Sequence, residues 1–257
     1  MMAKIDIHTD SVFTAGNYLT DINLHYPNDI TKVPSLFANC ILQADFDSGD
    51  SASLTRNRVG SSMTVVGSPA LGAYGATFSD AAYVNTGIEI SNYNASDMTM
   101  ISIAGASTGQ FPLLGVIQVA SPQRSKGVRW YDATHEGSVW LNSSGSSLST
   151  QIVPTALPSG QTEDFFSSRF ILNNNNSGLI AVNTLIPRTL QSAIAQGSAA
   201  PYNVTGSIKI GGSVDGNLTT TCFIRAVLAF SRALTDAEIV SLYKLYQNYY
   251  YFKGITI

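Results

Sequence analysis

Short apolar segments separated by polar turns make up most of the chain from residue 39 onward. Typical examples are 98–106 (MTMISIAGA), 179–186 (LIAVNTLI) and 222–231 (CFIRAVLAFS), and such segments are bounded by Gly, Asn, Ser or Pro. Such segments indicate β-strands, and no helical period separates them, so a doubly wound α/β fold is excluded. The same pattern predicts further strands at 40–46, 62–67, 81–90, 111–117, 127–133, 138–144, 169–175 and 206–213. No repeat of fixed period is visible, which disfavours a propeller or a β-helix.

One segment near the C-terminus has the pattern of a helix rather than of a strand. Thr235 and Glu238 match a capping box, which marks the start of a helix. Apolar residues then recur at i, i+3, i+4 and i+7, at Ile239, Leu242, Tyr243 and Tyr246. A helix is therefore predicted over about 235–248. Because the preceding strand is apolar throughout, we expect the helix to fold back over an end or edge of the sheets.

Two regions outside this pattern are candidates for contacts between subunits. Residues 1–38 have no sustained period and are predicted to form a partly extended arm, followed by one domain at 39–257. Aromatic residues occur in this arm and in the tail after the helix, and a contiguous apolar patch rarely stays exposed on a monomer. In the arm, Phe13 and Tyr18 are predicted to dock on the body of their own chain or on a neighbouring subunit. In the tail, some of Tyr249, Tyr250, Tyr251 and Phe252 are predicted to be buried against a partner subunit or the N-terminal arm.

The charge, the N-terminal sequence and the two cysteines limit which partners and which cellular location are expected. Only 12% of the residues are charged and the net charge is −3, without a basic cluster, so nucleic acid is not expected as a partner. The N-terminus has no apolar signal region and no segment has membrane-spanning length, so synthesis in a cytoplasm without membrane insertion is expected. Cys40 and Cys222 are expected to be buried free thiols, although the sequence alone leaves their pairing open.

The C-terminal phrase VLAFSRALTDAEIVSLY (227–243), preceded by KIGGS (209–213), resembles the last strands of the LamG-like branch of the concanavalin A-like superfamily. LQADFD (42–47), GATFSDAAYVNTG (75–87) and MTMISIAG (98–105) are similar to its earlier strands. The resemblance implies an all-β jelly-roll sandwich of two antiparallel sheets with a short C-terminal capping helix. It also implies binding of glycans or proteins, in some members with calcium.

The same superfamily contains glycoside hydrolases, which need paired carboxylates at the scissile bond. Their strands carry a Glu-x-Asp-x-x-Glu-like pattern. None of the four glutamates of this chain lies in such a pattern: Glu89, Glu136, Glu163 and Glu238. No catalytic residue is therefore assigned.

Residues 129–147 (RWYDATHEGSVWLNSSGSS) hold the densest group of side chains suited to sugar recognition. An aromatic ring stacks on the apolar face of a sugar while amide and carboxylate groups bind its hydroxyls. The candidate glycan-binding residues are Trp130, Tyr131, Asp132, His135, Glu136, Trp140 and Asn142. The alternative is that both tryptophans face the core and that 132–137 is an ordinary hairpin turn.

A second candidate site is the acidic segment ADFDSGD (44–50). Asp45, Asp47 and Asp50 offer the oxygen ligands that Ca²⁺ prefers, and they make calcium the candidate cofactor. Asp beside Gly and Ser is also ordinary turn chemistry, and a calcium site needs six or more oxygens.

Low charge, a polar Asn/Ser/Thr/Gly-rich composition, an arm and a lectin-like body together are typical of a bacteriophage structural protein. The sequence thus favours a non-enzymatic virion component of the tail-fibre, tailspike or decoration type, made in the host cytoplasm. Its expected partners are other virion subunits, further copies of itself and a cell-surface glycan. A purely structural assembly protein and a polysaccharide-degrading enzyme are the alternatives.

Overall fold

The computed structural model describes residues 36, 38–105, 109–118, 124–132, 135–141, 147–153, 156–176, 179–198, 203–216 and 220–257. Within these ranges the chain forms fifteen strands, followed by a C-terminal helix, α1, at Asp236–Tyr251. No helix in the described ranges is both long and apolar enough to cross a membrane.

The strands form two antiparallel sheets. Sheet 1 contains β1 (Cys40–Asp45), β3 (Ala70–Gly72), β4 (Gly75–Ser79), β6 (Met98–Gly105), β11 (Glu163–Ile171), β12 (Leu179–Ile186), β13 (Gln191–Ser198) and β15 (Thr221–Phe230). Sheet 2 contains β2 (Thr64–Val66), β5 (Tyr83–Glu89), β7 (Phe111–Val116), β8 (Ser125–Asp132), β9 (His135–Leu141), β10 (Ser147–Ile152) and β14 (Ser207–Ile210). The strand order is β13-β12-β11-β6-β15-β4-β3 in sheet 1, where β1 also pairs with β15, and β10-β9-β8-β7-β14-β5-β2 in sheet 2.

The two sheets pack face to face around an apolar core. Side chains alternate between the faces of a strand, so Met98 and Met100 of β6 lie in this core, whereas Ile101 and Ile103 lie on the other face of sheet 1. Every residue of β6 is nevertheless buried. Both faces of sheet 1 are therefore covered, and the all-β sandwich predicted from the sequence is confirmed.

The second cover of sheet 1 is α1. Ile239, Leu242 and Tyr246 pack with Ile101, Phe165, Leu228 and other outward-facing residues of sheet 1 in a second apolar cluster. The helix begins at the predicted capping box, in which Thr235 Oγ1 accepts from Glu238 N and Thr235 N donates to Glu238 Oε2. The expectation that α1 covers an edge is wrong. It covers a face, because the central strands of sheet 1 are apolar on both sides.

Most predicted strands are confirmed, but the strand pattern missed β3, β4, β10 and β13 and placed the start of β11 six residues too late. β10 (SLSTQI) and β13 (QSAIAQGS) are rich in Ser, Gln and Ala and lie at the ends of their sheets, where little apolar surface is needed. Cys40 and Cys222 are free and buried, as expected. The predicted arm, with Phe13 and Tyr18, lies almost entirely outside the described residues.

Candidate functional site

Six of the seven predicted glycan-binding residues lie on the β8–β9 hairpin: Trp130, Tyr131, Asp132, His135, Glu136 and Trp140. The strands pair antiparallel, with Asp132 opposite His135 and Trp130 opposite Glu136. The fold thus brings the backbones of these residues together, as the hairpin interpretation predicts. The side chains of residues 131–147 lie outside the described part of the chain, as does Asn142 altogether.

Trp130 itself lies in the core between the sheets. Its side chain is only 5% exposed and packs within the apolar cluster, so its ring has no free face for a sugar. Trp140 is in register with Lys126 of β8 and with Leu148 of β10, and both of these residues are buried. The core alternative, which the sequence left open, therefore holds for Trp130.

The predicted calcium ligands are occupied by protein partners. The guanidinium of Arg58 makes a two-pronged ion pair with Asp45, and Arg56 pairs with Asp50. The Arg56 guanidinium, hydrogen-bonded to Asp50, lowers the pKa of that carboxyl. Asp47 accepts from Gly49 N, and Asp50 accepts from Ala52 N, which is turn chemistry. The described residues contain no group of three His, Cys, Asp or Glu side chains that could hold a metal ion.

The four predicted contact residues of the tail divide into two pairs. Tyr249 and Tyr250 are buried against sheet 1 of their own chain, so their expected role as contacts with a neighbour is not needed. Burial raises the pKa of both phenols. Tyr251 and Phe252 are 74% and 51% exposed and contact each other edge to face.

The outer face of sheet 2 is the one broad sheet face that no second layer covers within the described residues. The strand registers align one position from each of its seven strands into a row across the sheet. In order across the sheet, these positions are Thr64, Asn85, Lys209, Gly115, Gly127, Val139 and Ser149. The two middle positions beside Lys209 are glycines, and both are buried, with Cδ1 of Ile117 only 2.9 Å from where a Cβ atom at Gly127 would lie.

A tyrosine lies against this row. Lys209 Nζ lies 4.4 Å from the centre of the Tyr83 ring and donates to Ser213 O at 2.7 Å. Tyr83 fits here because a Cβ atom at Gly212 would be only 2.6 Å from the ring carbon Cγ of Tyr83. Asp80 in turn accepts from the backbone N–H and the hydroxyl of Ser213, which holds the loop after β14 in place.

Asn85 and Lys209 each have hydrogen-bond donors that are not used within the described part of the chain. Asn85 is half-buried, and its Oδ1 accepts from Gly87 N at 3.0 Å, whereas its Nδ2 donates to no partner among the described residues. An ammonium group has three protons to donate. Lys209 Nζ uses one of them for Ser213, and no carboxylate within the described part of the chain pairs with it. Tyr83, Asn85 and Lys209 thus combine an aromatic ring with available donors.

Sequence reasoning missed these three residues although the signal was present. Tyr83, Asn85, Gly87 and Glu89 alternate with Val84, Thr86 and Ile88, and Ser207 and Lys209 alternate with Ile208 and Ile210. That period marks a half-buried strand with one polar face. The alternation within each strand does not show how the strands pair. The observed register places Asn85 opposite Lys209, although the two residues are far apart in the sequence.

Comparison with known proteins supports the fold and leaves the family open. No protein-family model and no curated protein matches the sequence. Among solved structures, the binding domain of botulinum neurotoxin serotype D is similar, with a TM-score of 0.57 and 16% identity over 82% of this chain and 52% of that one. The receptor-binding domain of botulinum neurotoxin type G is also similar, with a TM-score of 0.56 and 13% identity over 82% and 52%.

A third similar structure, of botulinum neurotoxin type C, concerns cell entry that depends on interaction with two ganglioside molecules. Its TM-score is 0.57 at 11% identity, over 83% of this chain and 53% of that one. These likenesses establish a jelly-roll-like, lectin-like β-sandwich. This chain spans about half the length of the neurotoxin chains it matches, so the likeness does not locate the ganglioside interaction of the type C protein within the matched half.

Proposed function

We propose that this protein is a non-enzymatic binding module that holds a carbohydrate on the outer face of sheet 2. The observation that carries the proposal is that Tyr83, Asn85 and Lys209 lie together on this face, which no further layer covers within the described residues. A sugar ring has an apolar face for the tyrosine and a rim of hydroxyls for the amide and ammonium donors.

Two further observations support a binding role without bond cleavage. The similar solved structures are described as binding or receptor-binding domains. Two of the four glutamates already have structural partners, since Glu163 pairs with Arg225 at 3.0 Å beneath α1 and Glu238 caps that helix. Glu89 accepts from the hydroxyl of Ser207 at the rim of sheet 2. A pair of carboxylates flanking an open cleft, as hydrolysis requires, is not formed by these three.

The test is binding of the purified protein to a panel of immobilised bacterial and animal glycans. We expect Lys209→Ala to weaken binding about 10-fold or more, because a hydrogen bond to a charged group contributes about 1.5–3 kcal/mol. Tyr83→Ala is expected to weaken it similarly through the lost ring. Lys244→Ala, which removes an exposed lysine from α1, is the matched control and should bind like the wild type.

The proposal fails if the folded protein binds no glycan of the panel, or if Lys209→Ala and Tyr83→Ala both bind as well as Lys244→Ala. Thermal unfolding of each variant shows that it is folded. The panel is run with Ca²⁺ and again with EDTA. We expect equal binding, because arginines already hold Asp45 and Asp50.

The finer prediction, a component of a bacteriophage virion made in the host cytoplasm, belongs to the same proposal. It is supported by the low charge, the Asn/Ser/Thr/Gly-rich composition, the predicted arm and the lectin-like body taken together. Likewise, the LamG-like branch remains a prediction from the resemblance of residues 227–243. A carbohydrate-binding sandwich suits a virion that attaches to a cell surface, and the glycan measurement applies whichever particle or cell carries the protein.

A further inference from the structure

The side of the sandwich formed by β13 of sheet 1 and β10 of sheet 2, which we call the β13–β10 edge, is unlike the opposite side. At the opposite side the sheets end in β3 and β2, of three residues each. At the β13–β10 edge they end in strands of eight and six residues. In the described part of the chain, β13 pairs only with β12 and β10 only with β9.

This edge lacks the features that normally keep an edge strand from pairing. Proteins protect edges with charged side chains, prolines, bulges or short strands. Residues 189–198 and 147–153 contain no charged residue and no proline. The register of β13 against β12 is continuous over all eight residues, without a bulge. The edge is therefore able to accept another strand.

Three exposed apolar side chains lie at the β13–β10 edge. Leu190 is 67% exposed, Val153 is 56% exposed and Ile194 is 51% exposed. Gln191 Nε2 donates to Val153 O at 3.2 Å, which holds the end of β10 beside the start of β13. Three of the large apolar residues most exposed in the described structure thus lie along one edge, where an occupant would bury them.

We propose that the occupant is a second copy of this chain, with β13 pairing antiparallel to the β13 of the partner about a two-fold axis perpendicular to the sheets. A two-fold contact brings each residue near its own counterpart. An uncharged strand suits this arrangement, because no like charges meet across the axis.

The size of the edge also fits. Eight residues of strand extend about 27 Å, and two sheets about 10 Å apart with their side chains give a width of about 20 Å. This area is about 540 Å² per copy, or about 1,100 Å² in total, which exceeds the roughly 1,000 Å² that a specific interface needs. The strand pairing would add main-chain hydrogen bonds to the burial of Leu190, Val153 and Ile194.

The test is sedimentation of the full chain over a wide concentration range, for the wild type and for Ile194→Lys and Ile194→Glu. The wild type is expected to form dimers. Each variant alone should have a dimer dissociation constant about 100-fold higher or more, since like charges then meet across the axis. An equimolar mixture of the two variants should recover the dimer, because opposite charges then face each other.

Phe252→Lys is the matched control, since Phe252 is also 51% exposed but lies in the tail after α1. This variant should remain dimeric. Dimers lost in Phe252→Lys and kept in Ile194→Lys would overturn the proposal and favour the tail as the interface. A monomeric wild type, or a mixture of the two Ile194 variants that stays monomeric, would overturn it as well. Circular dichroism confirms that each variant is folded.

Discussion

Charged side chains near the sheet 1 layer are matched by specific partners. Asp164 is held by Arg188 at 2.9 Å, and Glu163 by Arg225 at 3.0 Å, with all four groups almost entirely buried. A buried charge is tolerated only when it is paired and hydrogen-bonded. Removing one partner of such a pair leaves an uncompensated charge, so these residues are expected to be structural rather than available to a ligand.

The stability that Glu238 gives to the N-terminus of α1 depends on pH in the acidic range. Its hydrogen bonds from the Arg232 guanidinium, and those from Thr235, lower the pKa of this carboxyl from 4.5 to about 2. A depressed carboxyl pKa stabilises the fold above pH 4.5, and this contribution is lost as the pH falls from 4.5 to about 2. The Glu238→Gln variant should lose about 1 kcal/mol of unfolding free energy at pH 7.

Urea denaturation of the wild type and Glu238→Gln at several pH values tests this prediction. The two unfolding free energies should converge as the pH approaches 2, because the wild-type carboxyl is then protonated too. A difference that stays constant from pH 7 to pH 2 would show that the charge of Glu238 does not stabilise the cap.

Lys126 makes the stability of the fold depend on pH in the alkaline range. It is fully buried in β8, where its Nζ donates to Tyr93 O at 3.1 Å and lies 5.6 Å from the centre of the Phe170 ring. Burial lowers the pKa of Lys126 from 10.5 to about 8, and the charge of Asp97 opposes part of this shift. Between these pH values the unfolded chain binds a proton that the folded chain has released, so this group makes stability rise with pH.

The prediction for Lys126 concerns the difference between two proteins. As the pH rises from 8 to 10.5, the unfolding free energy of the wild type should increase relative to that of Lys126→Met. The Cys40 thiol, whose pKa burial raises to about 12, and the buried tyrosines act in the other direction but are common to both proteins. Lys244→Met provides the exposed control and should show no such trend; a flat difference for Lys126→Met would contradict the prediction.

At the scale of elements, α1 is a structural layer of the fold. Tyr246 is fully buried between the helix and sheet 1, and its ring lies 6.2 Å from that of Phe165. Gln43 of β1 donates to its hydroxyl at 3.4 Å. The helix is anchored by this face, while Tyr251 at its C-terminal end is exposed.

Two tyrosines of α1 therefore offer a matched comparison. Tyr246→Ala should lower the unfolding free energy by about 3–5 kcal/mol, as expected for removing a large buried aromatic ring. Tyr251→Ala should change it by less than about 0.5 kcal/mol, because that ring is 74% exposed. Chemical denaturation measures both values. Similar losses for the two variants would mean that α1 is not held through Tyr246.

At the scale of the whole molecule, the layers run from α1 through sheet 1 to sheet 2, whose outer face has no further layer over it in the part of the chain that the structure describes. The proposed dimer extends both sheets sideways through the β13–β10 edge and leaves that outer face free. A two-fold axis perpendicular to the sheets also places the outer faces of both copies on the same side. Two carbohydrate sites would then point toward one surface.

This arrangement predicts avidity. The Ile194→Lys variant should bind a dense glycan surface more weakly than the wild type, because two linked sites raise the effective affinity. Its affinity for the same glycan free in solution should be unchanged. Surface binding and solution calorimetry with one glycan measure the two quantities, and an equal loss in both would indicate that residue 194 affects the site itself.

The sequence by itself determined the fold class, the capped helix and the buried cysteines, because these depend on local periodicity, capping and burial habit. Only the tertiary structure decided that α1 covers a face, that Trp130 is in the core and that Arg58 holds Asp45. Each of these depends on a partner that is distant along the chain or on a strand register. The group of Tyr83, Asn85 and Lys209 is of the same kind. The sequence shows the alternation within each strand, but the pairing of β5 with β14 was needed to bring the three residues together.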